Sequence, residues 1–267
     1  MKERKTLSFS LIVAVMLFLY TPIAVVIIMG FNRSRYNSLP FEFTTKWYKA
    51  LFQNENLLIA TWNSTWIAAV TGLICVILAT AMVLGMRALG VRVRQNLNAL
   101  ILMPLAIPWL ILGLSLLLMI RAAGLTKGIG FVLAGHIVVS LPYAALVLLA
   151  RIKAMDPMLE EASASLGAGP VTTFRRIIMP MLAPGMVAGG FLSFMISFDN
   201  FVISYFLMPA GISSLPIEIH SSIRFGFTPE INAVSTLIIC ISLLCILGAG
   251  LIIGAAGTRG LFLKELS

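Results

Sequence analysis

From Ile231 to Gly257 the chain runs without a single Asp, Glu, Lys or Arg. An uncharged apolar stretch of that length reaches the ~20 residues a helix needs to cross the hydrocarbon core of a bilayer. Further apolar runs predict helices near 8–30, 59–86, 97–120, 129–150 and 178–208, so that about six spans are expected. The runs are continuous and show no two-residue alternation, which points to helices rather than barrel strands. Pro180 and Pro184 are expected to kink or break the start of the fifth span.

Composition agrees with this reading. The chain is 60% hydrophobic and only 11% charged, with a mean hydropathy of +1.02, against roughly 25% charged residues in a soluble domain. The fold class is therefore an all-α membrane protein, a single transmembrane domain over 1–267. The first apolar run, Leu7 to Phe31, is too long for a signal-peptide core and lacks an Ala-x-Ala cleavage site, so it is read as a retained helix. The net charge of +9 is assigned to membrane orientation and anionic lipid rather than to nucleic acid. Cys75, Cys240 and Cys245 all lie in apolar runs and form no CxxC pair, so neither a metal site nor a disulfide framework is indicated.

Lys and Arg counts orient the chain. With the N-terminus inside, Lys2, Arg4, Lys5, Arg87, Arg92, Arg94, Arg151, Lys153, Arg175, Arg176, Arg259 and Lys264 lie inside, and Arg33, Arg35, Lys46, Lys49, Arg121, Lys127 and Arg224 outside. The excess places both termini in the cytoplasm. The loop 32–58 is then external, and Phe41, Phe43, Trp47, Tyr48, Leu51 and Phe52 among polar residues suit a short interfacial helix. Trp62 and Trp66 fit an aromatic belt or ordinary packing. Gly185-x-x-x-Gly189 and Gly250-x-x-x-Gly254 would let helices approach closely.

The inside loop between helices four and five, about 151–180, is unusually well equipped to be a helix. Asp156 is an N-cap, Pro157 suits the first turn, and Glu160 and Glu161 lie at the positive end of the dipole. Leu159, Ala162 and Leu166 share one face, Gly167 can close the helix in a left-handed turn, and Pro170 prevents its continuation. An apolar face on a helix outside the bilayer needs a partner.

Glu161-Ala162-Ser163, three residues, Gly167, nine residues, and Ile177-Ile178-Met179-Pro180 resemble the EAA loop of ABC-importer permeases. Ser163 and Met179 are the two departures from that pattern. The resemblance implies a type I ABC importer permease fold in the bacterial inner membrane, with the short cytoplasmic helix as a coupling helix. Glu160, Glu161, Ala162, Ser163, Gly167, Ile177 and Pro180 would then form the docking element for an ATPase subunit, of which the importer would have two copies, where ATP and Mg would bind. It also implies a second, homologous permease and an external substrate-binding protein. The chain has no G-x-x-x-x-G-K-[ST] phosphate loop, no H-E-x-x-H and no G-x-S-x-G, so no catalytic residue is assigned and no cofactor is placed on this chain.

Phe31-Asn32-Arg33-Ser34-Arg35, Phe43-Thr44-Thr45-Lys46-Trp47-Tyr48, Asp199-Asn200-Phe201-Val202, Leu215-Pro216-Ile217 and Pro229-Glu230-Ile231-Asn232-Ala233 are similar to the C-type permeases of spermidine/putrescine importers. Asp199 is the one acidic residue expected inside a span, where an ionisable group usually faces a cavity or a substrate path. It could attract a cationic amine, with Asn200, Ser197, Tyr205 and Trp47 completing the expected pathway, or it could be bonded within the bundle. Polyamine-type permeases often have paired acids where this chain has Asp199-Asn200, and an Asp where it has Trp109 after Pro108. A monoamine or an amino-organophosphonate therefore stays open as substrate. An ion-gradient carrier would call for an inverted repeat or several intramembrane charges, and a purely structural anchor would leave the EAA spacing unexplained.

Overall fold

A computed structural model of the chain describes residues 2–35, 38–156, 158–225 and 230–243, with the side chains of 2–8 and 225 left aside. Every named element is helical, and Asn32 and Phe43 form an isolated antiparallel bridge. The contacts group the chain into two compact units, 1–58 with 219–267, and 59–218.

In the first unit, α1 (Lys2–Gly30) contains the apolar span Phe9–Gly30, which is exposed from Phe9 to Val25 and becomes half-buried in its last turn. The loop that follows α1 folds back on its end. Arg33 N–H donates to Glu42 O at 2.8 Å and Thr44 N–H to Phe31 O at 2.8 Å, and the Phe31 and Phe43 rings stack with centroids 5.7 Å apart. The short helix expected there is α2 (Lys46–Gln53), which buries Leu51. A further helix, Glu230–Leu243, belongs to the same unit. The expected sixth span, 231–257, extends beyond the described residues, as do Gly250-x-x-x-Gly254, Cys245, Arg259 and Lys264.

The second unit holds α3 from Ile59 onward (Glu55–Gly85, extended by a tight turn Met86–Ala88), α4 (Val91–Leu102), α5 (Trp109–Ala122) and α6 (Ile129–Lys153). It continues with α7 (Met158–Ser165), α8 (Pro170–Thr173), α9 (Met179–Phe198) and α10 (Phe201–Leu207), and α11 (Leu215–Phe225) returns the chain to the first unit. Two apolar clusters hold it together. One joins α3, α6 and α9 through Cys75, Ala79, Ala144, Leu148 and Leu182. The other joins α3, α5, α6 and α10 through Ile67, Leu112, Val132, Ile203 and Leu207. Small residues set the α6–α9 spacing: a Cβ on Gly189 would lie 3.3 Å from Ala144 Cα, so the Gly185-x-x-x-Gly189 pair is the surface on which α6 seats.

Two expected spans are corrected. The third, 97–120, is not one helix but a pair, Val91–Ala106 and Trp109–Ala122, bent by 99°. Ile107 is extended at ψ 126 and Pro108 at ψ 129, because a residue before proline is driven out of the helical region. The fifth begins at Pro170, earlier than expected, and passes through Pro180 and Pro184 without a break. A proline ring clashes with the carbonyl four residues back. For Pro180 that residue is Arg176, which lies in a wide π-helical stretch, Phe174–Ile178, that rearranges this ladder locally. The break comes later instead, at Asp199 and Asn200.

Candidate functional site

α7 is defined at both ends by the residues the sequence supplies. Met158 N–H donates to Asp156 Oδ1 at 2.9 Å, an N-cap; Pro157 lies outside the described residues. At the other end Gly167 takes φ +80°. Gly167 N–H donates to Ala164 O at 2.9 Å and Ala168 N–H to Ser163 O at 3.1 Å, the paired bonds of a Schellman closure.

One side of α7 is tied to the rest of its unit. Glu160 forms an ion pair with Arg87, in the turn that ends α3. Ser163 is buried, its Oγ 2.9 Å from Thr173 Oγ1 on α8. The other side is open: Glu161 and Ala162 are exposed, Leu159 is 41% and Leu166 89% exposed. Ile177 is half-buried in the π-helical stretch, and Pro180 is exposed on the first turn of α9. The structure thus brings Glu160, Glu161, Ala162, Ser163 and Gly167 onto one capped helix, with Ile177 and Pro180 on the long helix that follows it.

The second group sits where α9 gives way to α10. Asp199 closes α9 with φ −88° and ψ 5°, and its side chain is exposed. It therefore lies at a helix interruption, not on a continuous helix as the expected fifth span implied. Asn200 is fully buried and caps α10, its Oδ1 accepting from Ile203 N–H at 2.9 Å, while its Nδ2 has no hydrogen-bond partner. Ser197 is also buried and turned into the bundle. Tyr205, 54% exposed, rests on Phe201 at 5.3 Å between centroids. Trp47 belongs to the first unit, where its Nε1–H donates to Asn32 O at 2.7 Å and Lys46 Nζ stands 4.2 Å from its ring centroid.

Sequence reasoning missed four partners of these residues: Arg87, Thr173, His136 and Ser204. His136 on α6 is 2% exposed, with Nδ1 2.8 Å from Ser197 Oγ and Nε2 3.1 Å from Ser204 Oγ. The available signal was its position, an ionisable side chain inside an expected span. Among the described residues no three His, Cys, Asp or Glu side chains gather as a metal site.

Residues 76–255 match the family model of the binding-protein-dependent transport system inner membrane component. The chain belongs to this family. It is the permease component of an ABC importer, a transport subunit and not an enzyme, and ATP hydrolysis is the work of a separate subunit. The permease is 30% identical over 239 residues to the spermidine/putrescine transport system permease protein PotC of Escherichia coli K12, covering 90% of each chain. It is 34% identical over 229 residues to the putrescine transport system permease protein PotI of the same organism, covering 83% of this chain and 82% of that one. Its fold is similar to that of a chain of a bacterial ABC transporter involved in the import of the acidic polysaccharide alginate, with a TM-score of 0.64 at 14% identity over 94% of this chain and 95% of that one. The inward-facing MetNI methionine ABC transporter gives 0.63 at 18% identity over 75% and 95%. The permease thus has the all-α fold of ABC importer permeases, with several helices apolar enough to span the inner membrane.

Proposed function

We propose that the permease imports a small cationic solute, a polyamine such as spermidine or putrescine, received from an external binding protein. Residues 1–267 act as one membrane domain with both termini cytoplasmic. It pairs with a second, homologous permease and docks one of two ATPase subunits, which bind ATP and Mg, through α7. The observation that carries this reading is α7 itself. Its Arg87 and Thr173 contacts hold one side of the helix, and Leu159, Glu161, Ala162 and Leu166 are left exposed on the other. A capped helix that projects an apolar strip beyond the membrane is suited to a cleft on a partner. Glu160 is engaged within the chain, so Glu161 is the carboxylate left to meet a basic group of the ATPase. Ile177 and Pro180 transmit the seating to α9.

The substrate assignment draws on the polyamine permeases among the relatives and on the exposed Asp199 carboxylate. Asp199 and Tyr205 face the solute, Ser197 and Asn200 frame the break that presents them, and Trp47 braces the external loop. A single carboxylate also suits a monoamine or the amino group of an organophosphonate, and competition separates these.

The test is a tagged permease, gently solubilised from its native host, with its companions identified by mass spectrometry. A phosphate-loop ATPase and a second EAA-containing permease should co-purify, and both should be lost with Gly167→Trp while the variant still inserts. Uptake of labelled putrescine, competed by spermidine but not by 2-aminoethylphosphonate, should follow. A permease that purifies alone where other complexes survive would overturn the docking assignment.

A further inference from the structure

The α9–α10 break carries the acid and the amide at the centre of the proposed path, and breaks of this kind are soft unless something spans them. The chain has no proline at this point to fix the angle. The backbone contributes short-range bonds here: Asp199 N–H to Met195 O at 3.2 Å, Asn200 N–H to Ser197 O at 3.3 Å and Phe201 N–H to Asp199 O at 2.9 Å. None of these reaches from the body of α9 to the body of α10.

One side chain does. The His136 imidazole stands on α6 opposite the break, with one ring nitrogen on Ser197, two residues before Asp199, and the other on Ser204, four residues after Asn200. A neutral imidazole has one N–H donor and one acceptor. One serine therefore accepts while the other donates, and both ring nitrogens are satisfied within the bundle. Close packing holds α10 against the same part of α6. A Cβ on Gly135, next to His136, would fall 2.7 Å from Ile203 Cγ2 and 2.9 Å from Leu207 Cδ1. Further along, Ser193 Oγ donates to Ser140 O at 3.1 Å and ties α9 to α6 again. The break is thus held as a three-point arrangement in which His136 is a polar link to both arms.

We propose that His136 is a positioning residue for solute passage: bridging Ser197 and Ser204, it fixes the angle between α9 and α10 and so the direction in which Asp199 is presented. The inference rests on the reading that the break faces the solute path. His136 touches no solute. It acts through Asp199, which it does not contact. A misplacement of about 1 Å in a positioned group can cost on the order of a hundredfold in rate, so a link of this kind matters beyond its own hydrogen-bond energy.

The experiment is a double-mutant cycle in proteoliposomes containing the complete transporter, with labelled putrescine as probe, reading solute moved per ATP hydrolysed. Asp199→Asn, His136→Leu and the double variant are compared, with Ser197→Ala and Ser204→Ala as smaller deletions of one arm each. Recovery of the assembled complex is measured for every variant. His136→Leu should lower putrescine per ATP by about tenfold, and each serine variant by less. In the Asp199→Asn background the His136 change should have little further effect, because the group it positions is gone. His136→Asn and His136→Gln, whose amides reach toward only one serine each, should recover only part of the loss. If Asp199→Asn lowers transport but the His136 and serine variants leave it intact, or add to it in full, the positioning role is wrong. If Asp199→Asn itself leaves putrescine transport unchanged, the pathway reading fails instead. Should His136→Leu not assemble, the serine variants carry the same comparison.

Discussion

Arg87, in the turn that closes α3, pairs with Glu160 on α7 across 73 residues of sequence. The pair joins the proposed docking helix to the first long helix of its unit. Both side chains are partly exposed, 36% and 30%, so the pair contributes only about 0.2–1 kcal/mol to stability. Its consequence is orientation, since it selects which face of α7 is turned outward. Arg87→Glu sets two like charges together and should cut ATP-driven uptake by roughly two- to fivefold, while thermal stability changes little. The exchange Arg87→Glu with Glu160→Arg should restore most of the uptake. Vesicle transport of the single and double variants checks this, and no recovery in the exchange would remove the pair from the coupling route.

Gly167 is needed for its backbone. At φ +80° an L side chain costs about 1–2 kcal/mol, whereas space is not limiting, since nothing lies within 4 Å of a Cβ built there. Gly167→Ala should therefore loosen the end of α7 without disturbing the bundle. Hydrogen exchange over 158–169 should quicken by roughly 5- to 30-fold, with α3 and α6 unaffected. Gly167→Asn should sit between, because Asn tolerates this region better. Equal protection in Gly167→Ala and the parent would mean the left-handed turn is not what closes the helix.

Asp156 and Gly167 were readable because a cap is a local device, set by residues within a turn of the helix end. The spans of α3 and α6 were readable because their apolar runs are unbroken. The third span was overextended, since its apolar run continues through Ile107 and Pro108 while the backbone turns there. Pro180 and Pro184 misled in the opposite sense, because the π-helical stretch before them and the seat of Gly185 and Gly189 against α6 keep the helix continuous. The polar links of the candidate site were not legible. His136 meets Ser197 and Ser204 at separations of 61 and 68 residues, and no local pattern announces a pairing that only helix packing creates.

The contact of α6 with α9 is limited by backbone atoms. A Cβ on Gly189 would lie 3.3 Å from Ala144 Cα and 3.4 Å from Ala144 O, and neither can swing aside as a side-chain end would. Gly189→Ala should push the helices apart, cost about 1–3 kcal/mol and lower the midpoint of thermal unfolding by roughly 3 to 10 °C. Gly85→Ala is the control. It lies in a helix with nothing within 4 Å of the added methyl, so it should hold or slightly raise the midpoint. A melt of the two purified variants in one detergent decides it, and equal midpoints would mean the α6–α9 contact has slack.

Asn32 organises the start of the loop after α1 from a fully buried position. Its Nδ2 donates to Ser38 O at 2.8 Å, its Oδ1 accepts from Glu42 N–H at 3.1 Å, and its carbonyl accepts from Trp47 Nε1–H at 2.7 Å. Trp47→Phe keeps the aromatic bulk but takes the indole donor from a buried carbonyl, at a cost of about 1–3 kcal/mol. Asn32→Ala removes the side chain's four links, to Met29, Ser34, Ser38 and Glu42, and should cost more. Limited proteolysis of the purified variants should therefore cut within 33–45 faster in Trp47→Phe and faster still in Asn32→Ala. The same variants separate two roles for Trp47. If the indole braces the loop, protease sensitivity and uptake change together, and Asn32→Ala has the larger effect on both. If its ring meets the solute, Trp47→Phe changes the preference between putrescine and spermidine while the loop stays as resistant as in the parent.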